Sequence, residues 1–109
     1  MPLSARARIE LYVPDQPLPA YQNLLQALIS EFTQVFGGCT IQRAEGSFLS
    51  ETGDTESEPV FVVYSDSEFD FDDNRDVLSE YAGRLREDVY KALDEEEILV
   101  ALLPVFHSI

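Results

Sequence analysis

The sequence predicts an α+β domain whose elements run β-α-β-β-α-β. Three observations carry that prediction. Arg6 to Val13 alternates with period two, putting Ile9, Leu11 and Val13 on one face and Arg8, Glu10 and Tyr12 on the other. Two segments repeat apolar residues every three or four positions, as helices with one buried stripe do. Two further runs, Val60 to Tyr64 and Ile98 to Val105, are apolar at consecutive positions, as strands covered on both faces are.

Met1 to Ala5 is read as a frayed end before the first strand. Pro14, Pro17 and Pro19 stop that strand and stiffen the connection that follows. From Ala20 the period becomes helical, with Tyr21, Leu24, Leu25, Leu28, Ile29, Phe32, Val35 and Phe36 at the apolar positions. Gly37 and Gly38 then supply the permissive backbone of a helix C-terminus. Thr40 to Leu49 has β-branched and aromatic residues toward its ends and polar ones in the middle, which suits a half-exposed strand near an edge. Gly46 within it is expected to mark a bulge or bend. The polar stretch around Gly53 is a turn that closes a central hairpin, and Pro59 opens the return strand.

A second helix is expected from about Asn74 to Leu93, with Leu78, Ala82, Leu85, Val89 and Leu93 as its stripe and Tyr81 beside it. Asp72 or Asp73 is placed to cap its N-terminus, and Glu80 with Arg84 and Glu87 with Lys91 have the spacing of exposed ion pairs. The order as a whole is that of a ferredoxin-like fold, a four-stranded antiparallel sheet with both helices on one face. Right-handed crossovers put the first and third strands in the middle.

Residues 1 to 109 form one domain, long enough for a single hydrophobic core. At 45% hydrophobic and 11% aromatic the composition is that of a folding chain. Its 21 acidic against 7 basic residues give a formal charge of −14. That field disfavours direct contact with nucleic acid phosphates and with anionic membranes. It attracts cations and basic protein surfaces, and it also serves plain solubility. A single cysteine allows no internal disulfide, and neither a signal-peptide core nor an apolar run of membrane-spanning length is seen, so a cytoplasmic protein is expected.

A two-layer fold leaves one sheet face open, and the sequence supplies apolar residues for it, Tyr12 and Tyr64 among them. Such a face is larger than a soluble monomer usually shows. It is covered by the C-terminal PVFHSI with the acidic loops, or by another subunit, and a homodimer is the expectation.

Three acidic groups are candidate cation sites. Asp66, Glu68, Asp70, Asp72 and Asp73, with Asp76 beyond, place hard oxygen ligands at alternate positions, as Ca²⁺ loops do. The likeness ends at Phe71 and Val77, which stand where an EF-hand loop has Gly and Glu. Glu51, Asp54, Glu56 and Glu58 at the hairpin tip would join this group if the fold brought them together, and Asp94 to Glu97 follow the second helix. For the first two a solvated loop or turn is the plainer account; the third opposes the helix dipole, which is compatible with a cation or a basic partner and equally with surface tolerance. Cys39 reads as a buried structural thiol and His107 as a tail residue rather than a catalyst. No phosphate loop, Cys/His metal spacing or nucleophile elbow is present.

With the strands placed, Phe36, Gly37, Thr40, Ala44, Gly46, Phe48, Gly53 and Glu58, followed late by EEEILVAL, form a pattern. It resembles small bacterial proteins of unknown function of the DUF3574 type. The resemblance spans residues 9 to 103, departs from that group in having Phe48 where tryptophan is expected, and implies the same βαββαβ order. It carries no catalytic or ligand residue.

The function expected first is therefore a non-enzymatic binding or regulatory protein that acts by protein–protein contact, one version being occupation of a basic surface on a partner. Calcium binding through the acidic loops comes second. A small-molecule enzyme of the dimeric ferredoxin-like kind, with a pocket on the open sheet face, comes third.

Overall fold

The computed structural model describes residues 4–94 and 96–107. The elements are β1 (Ser4–Pro14), α1 (Pro19–Phe36), β2 (Thr40–Leu49), β3 (Thr55–Asp70), α2 (Arg75–Ala92) and β4 (Val100–His107). All strand pairs are antiparallel, in the order β2-β3-β1-β4. The first and third strands are the central ones.

Alternation in β1 sends Ala7, Ile9, Leu11 and Val13 into the core, where Val63 of β3 joins them. Helix α1 starts with a proline in its first turn, where the missing N–H removes no helical bond. It buries Tyr21, Leu24, Leu28 and Phe32 against the sheet and ends at Gly37, whose φ of 85° only glycine adopts without strain. The Gly37 N–H closes the last turn onto the Thr33 carbonyl at 3.0 Å. Helix α2 adds Val89, with Leu93 just after it, to the same cluster. Both helices therefore share one core over one sheet face. No helix among the described residues is long and apolar enough to cross a membrane.

Several expectations are corrected. β3 is far longer than Val60 to Tyr64, since it takes in the acidic segments on both sides and pairs with β2 from Thr40↔Tyr64 to Leu49↔Thr55. That register is unbroken at Gly46, so no bulge lies there. The irregularity is between Arg6 and Arg8, opposite Asp70 and Asp66. The N-cap position of α2 is Asn74 rather than Asp72 or Asp73, and its side chain makes no capping bond, because its amide donates to the Asp70 carbonyl at 3.0 Å; the turn before the helix is closed by the Asp73 N–H on Asp70 Oδ2 at 3.0 Å. Val35, expected in the stripe of α1, is exposed. Neither Glu80–Arg84 nor Glu87–Lys91 closes. The ion pairs among the described residues are Arg8 with Glu10 and Asp66, Arg43 with Asp15, and Arg75 with Asp72.

Neither Val60–Tyr64 nor β4 is covered on both faces: Phe61, Val63, Val100 and Leu102 meet the core while the alternate residues face the open side, and β4 is in addition an edge strand with Leu99 exposed before it. The segment expected to fold over the open face continues this edge strand as far as His107. β1 stops opposite Val60, so Thr55 to Pro59 and Glu45 to Leu49 run on as a two-stranded arm. The molecule is accordingly elongated, 49 × 27 × 22 Å.

Candidate functional site: the open sheet face

The register fixes which side chains share the face away from the helices. β1 contributes Arg6, Arg8, Glu10 and Tyr12, β3 contributes Val60, Val62, Tyr64 and Asp66, β4 contributes Ala101, Leu103 and Val105, and β2 contributes Thr40, Gln42 and Ala44. The arm continues this face with Glu56 and Glu58, one strand period further along β3 each time.

At its centre lies a cluster built on Arg8. The guanidinium makes a two-pronged contact with Asp66, Nε to Oδ1 at 2.6 Å and a terminal nitrogen to Oδ2 at 2.9 Å, and comes within 3.5 Å of Glu10. Its carbon stands 4.3 Å from the centre of the Tyr64 ring, a cation–π distance. The Tyr12 hydroxyl donates to Glu10 Oε2 at 2.9 Å. That bond to a carboxylate, with burial second, holds the Tyr12 pKa above the usual tyrosine value, and the hydrogen bond to Asp66 does most to hold Arg8 above its own. One cation thus faces two carboxylates, and Arg8, Asp66, Glu10 and Tyr12 are each already partnered. This centre is suited to recognition by shape and charge. It holds no free base or nucleophile.

The apolar residues around the cluster are half-buried rather than bare. They shelter one another across the strands, and the Arg8 stem and guanidinium cover Tyr64. The face is therefore milder than the sequence suggests: an apolar strip with carboxylates at both ends.

The five residues proposed as cation ligands are placed on a strand end and a turn. Asp66 is engaged by Arg8. Glu68 points from β3 into solvent, and its backbone carbonyl accepts from Arg6. Asp70 accepts from Asp73, Asp72 pairs with Arg75 at 2.9 Å, and Asp73 is exposed. Among the described residues no three such side chains converge on one point. Nor do the two acidic segments meet. Glu58 and Asp66 lie on one continuous strand, eight residues or about 26 Å apart.

At the arm tip, Ser50 and Asp54 close the turn by N–H to carbonyl at 2.8 Å, and Gly53 takes the left-handed φ of 87° that this reversal needs. Glu51 and Asp54 lie exposed there. Of Asp94 to Glu97, Glu95 lies outside the described residues, and Glu97 lines a shallow groove of about 600 Å³ with Arg86 and Tyr90. A second groove, of about 610 Å³, runs between α1 and α2 over Leu24, Leu28, Leu85 and Val89. Both are on the helix side, away from the face where a pocket was expected. Cys39 is half-buried, and burial pushes its thiol up, away from a reactive thiolate. His107 ends β4 with its side chain outside the described set.

The residues that sequence reasoning missed are Arg8 and Glu10. Their signal was present, since both alternate with the core set of β1 and so had to face the open side. In comparisons with protein families, curated proteins and solved structures, none matches the chain.

Proposed function

We propose that this chain is a ferredoxin-like binding module that docks a basic protein surface on its open sheet face. The strand order β2-β3-β1-β4 supports that fold class. The observation that carries the function is the layout of β3. An apolar centre of Val60, Val62 and Tyr64 is flanked on the same strand by Glu56 and Glu58 at one end and, beyond Asp66 with its Arg8 partner, by Glu68 and Asp70 at the other. Apolar centres with charged rims are the anatomy of protein interfaces, and a rim of this sign selects Lys- and Arg-rich partners.

The test is affinity capture from the source cells on immobilised chain, eluted with a salt gradient. Wild type is expected to retain a basic protein that leaves between about 0.15 and about 0.5 M NaCl, as screening shortens the Debye length from about 8 Å. E56Q/E58Q should move elution to lower salt, and V62S should weaken capture with the salt dependence unchanged. Retention indifferent to both salt and these substitutions overturns the proposal.

A further inference from the structure

The sheet has two free edges, β2 and β4, and they are not alike. The Asp15 N–H bonds the Pro59 carbonyl at 3.0 Å, so odd-numbered residues of β3 turn their backbone groups toward β1 and even-numbered ones toward β2. Pairing of Thr40, Gln42 and Ala44 with Tyr64, Val62 and Val60 then leaves Ile41, Arg43, Glu45, Ser47 and Leu49 with N–H and C=O directed at the open edge. By the same alternation Tyr12, bonded to the Leu99 carbonyl, places Pro104 with its ring nitrogen on the outside of β4. Proline there removes a donor from the middle of that edge, a known guard against strand addition. β2 has no proline and keeps every donor.

β2 also differs in charge and exposure. It carries one Arg and one Glu, hence no net charge in a chain of −14. Ile41, Phe48 and Leu49 on it are 38, 46 and 72% exposed. Its second half belongs to the overhanging arm, and a two-stranded ribbon alone is marginal in water.

We propose that β2 is a self-pairing edge: two copies join their β2 strands antiparallel about a two-fold axis at Ala44, merging two four-stranded sheets into one. This alignment sets Arg43, which is held at 2.6 Å by Asp15 of its own copy, opposite Glu45 of the second copy, twice, so that each guanidinium lies between two carboxylates. The neighbouring symmetric alignments, centred on Arg43 or Glu45, would oppose like charges. Arg43 and Glu45 are also residues whose backbone faces the edge, so the same pair exchanges both hydrogen bonds, and Ile41 does so with Ser47 of the second copy. Each arm then gains the start of the other copy's β2 as a third strand. The pairing is independent of the proposed basic partner, because it uses an edge and leaves the open face free.

Sedimentation velocity on the full chain at about 100 µM tests it, with circular dichroism as the check on folding. Wild type is expected at twice 12.3 kDa. R43E and E45R should each weaken association at least about tenfold, and R43E/E45R should restore it, because the double exchange recreates the opposed pair. S47P should give a folded monomer, since it removes only an outward N–H. A monomeric wild type, a dimer indifferent to the single exchanges, or a double exchange that fails to recover overturns the proposal.

Discussion

Replacing Arg8 with methionine tests whether the open face is held together by its central cluster. The substitution keeps a long apolar stem and removes the cation. It breaks a partly exposed ion pair with Asp66, worth about 0.2–1 kcal/mol. It also removes the cation–π contact with Tyr64, worth about 0.5–1 kcal/mol. Glu10, whose side chain is only 13% exposed, is left beside Asp66 with no counter-charge. The expected loss is about 1–2 kcal/mol. With an unfolding entropy of about 2.1 cal/mol/K per residue, a chain of 109 residues loses about 4 °C of midpoint per kcal/mol. R8M should therefore melt about 4–9 °C below wild type in a thermal scan followed by circular dichroism. In a D66N background it should cost less, with a coupling of about 0.5–1 kcal/mol. A midpoint within about 1 °C of wild type, or strictly additive effects in the double variant, would refute the view that this cluster organises the face.

Phe32 is fully buried at the centre of the core, so F32A should cost about 3–5 kcal/mol in chemical denaturation, and a loss under about 1 kcal/mol would mean the helix does not pack as described. Tyr81, with its hydroxyl 2.9 Å from Glu31, is held well above the usual tyrosine pKa, first by burial and then by that hydrogen bond. A folded-state value above the unfolded one means full stability below about pH 10 and a decline as pH rises beyond it, and Y81F should flatten that decline; an unchanged alkaline slope would contradict it. Because Arg8 occupies Asp66 and β3 separates the acidic segments, CaCl₂ at about 5 mM should raise the midpoint no more than MgCl₂ at matched ionic strength. A site with Kd of about 0.1 mM would add about 2 kcal/mol by mass action, so a Ca²⁺-specific rise would be plain and would reinstate the five acidic residues as ligands.

The helices and β1 were legible because their burial is carried by large apolar residues at the correct period. β3 was not, because its ends carry none. Thr55-Glu56-Ser57-Glu58 and Ser65-Asp66-Ser67-Glu68 look like turn composition, yet each alternates a hydroxyl with a carboxylate in the same phase as the apolar centre. Ser65 and Ser67 are buried. They face the core, donate to the Gly38 and Ala7 carbonyls at 2.7 and 2.8 Å, and so need no water. Period two was the reliable signal and polarity the misleading one. The face of the acidic residues follows from that parity, whereas the pairing of Arg8 with Asp66 depends on strand register, which no local pattern contains.

The distribution of charge separates two kinds of contact that a net value of −14 blurs together. The acidic residues crowd β3, the arm tip and the turn before α2, while β2 balances Arg43 against Glu45. Self-pairing along β2 brings two negative molecules together through a neutral edge, so the opposition comes from charges elsewhere and is long-range. Salt screens that repulsion and should leave the dimer as tight or tighter. A basic partner on the open face is drawn by the same distant charges, so salt removes its attraction and should loosen it. The two associations therefore respond to salt with opposite sign. Sedimentation and partner capture measured across one NaCl series distinguish them, and a dimer that dissociates steeply with added salt would mean that attraction between opposite charges, and not a neutral β2 edge, holds the two copies together.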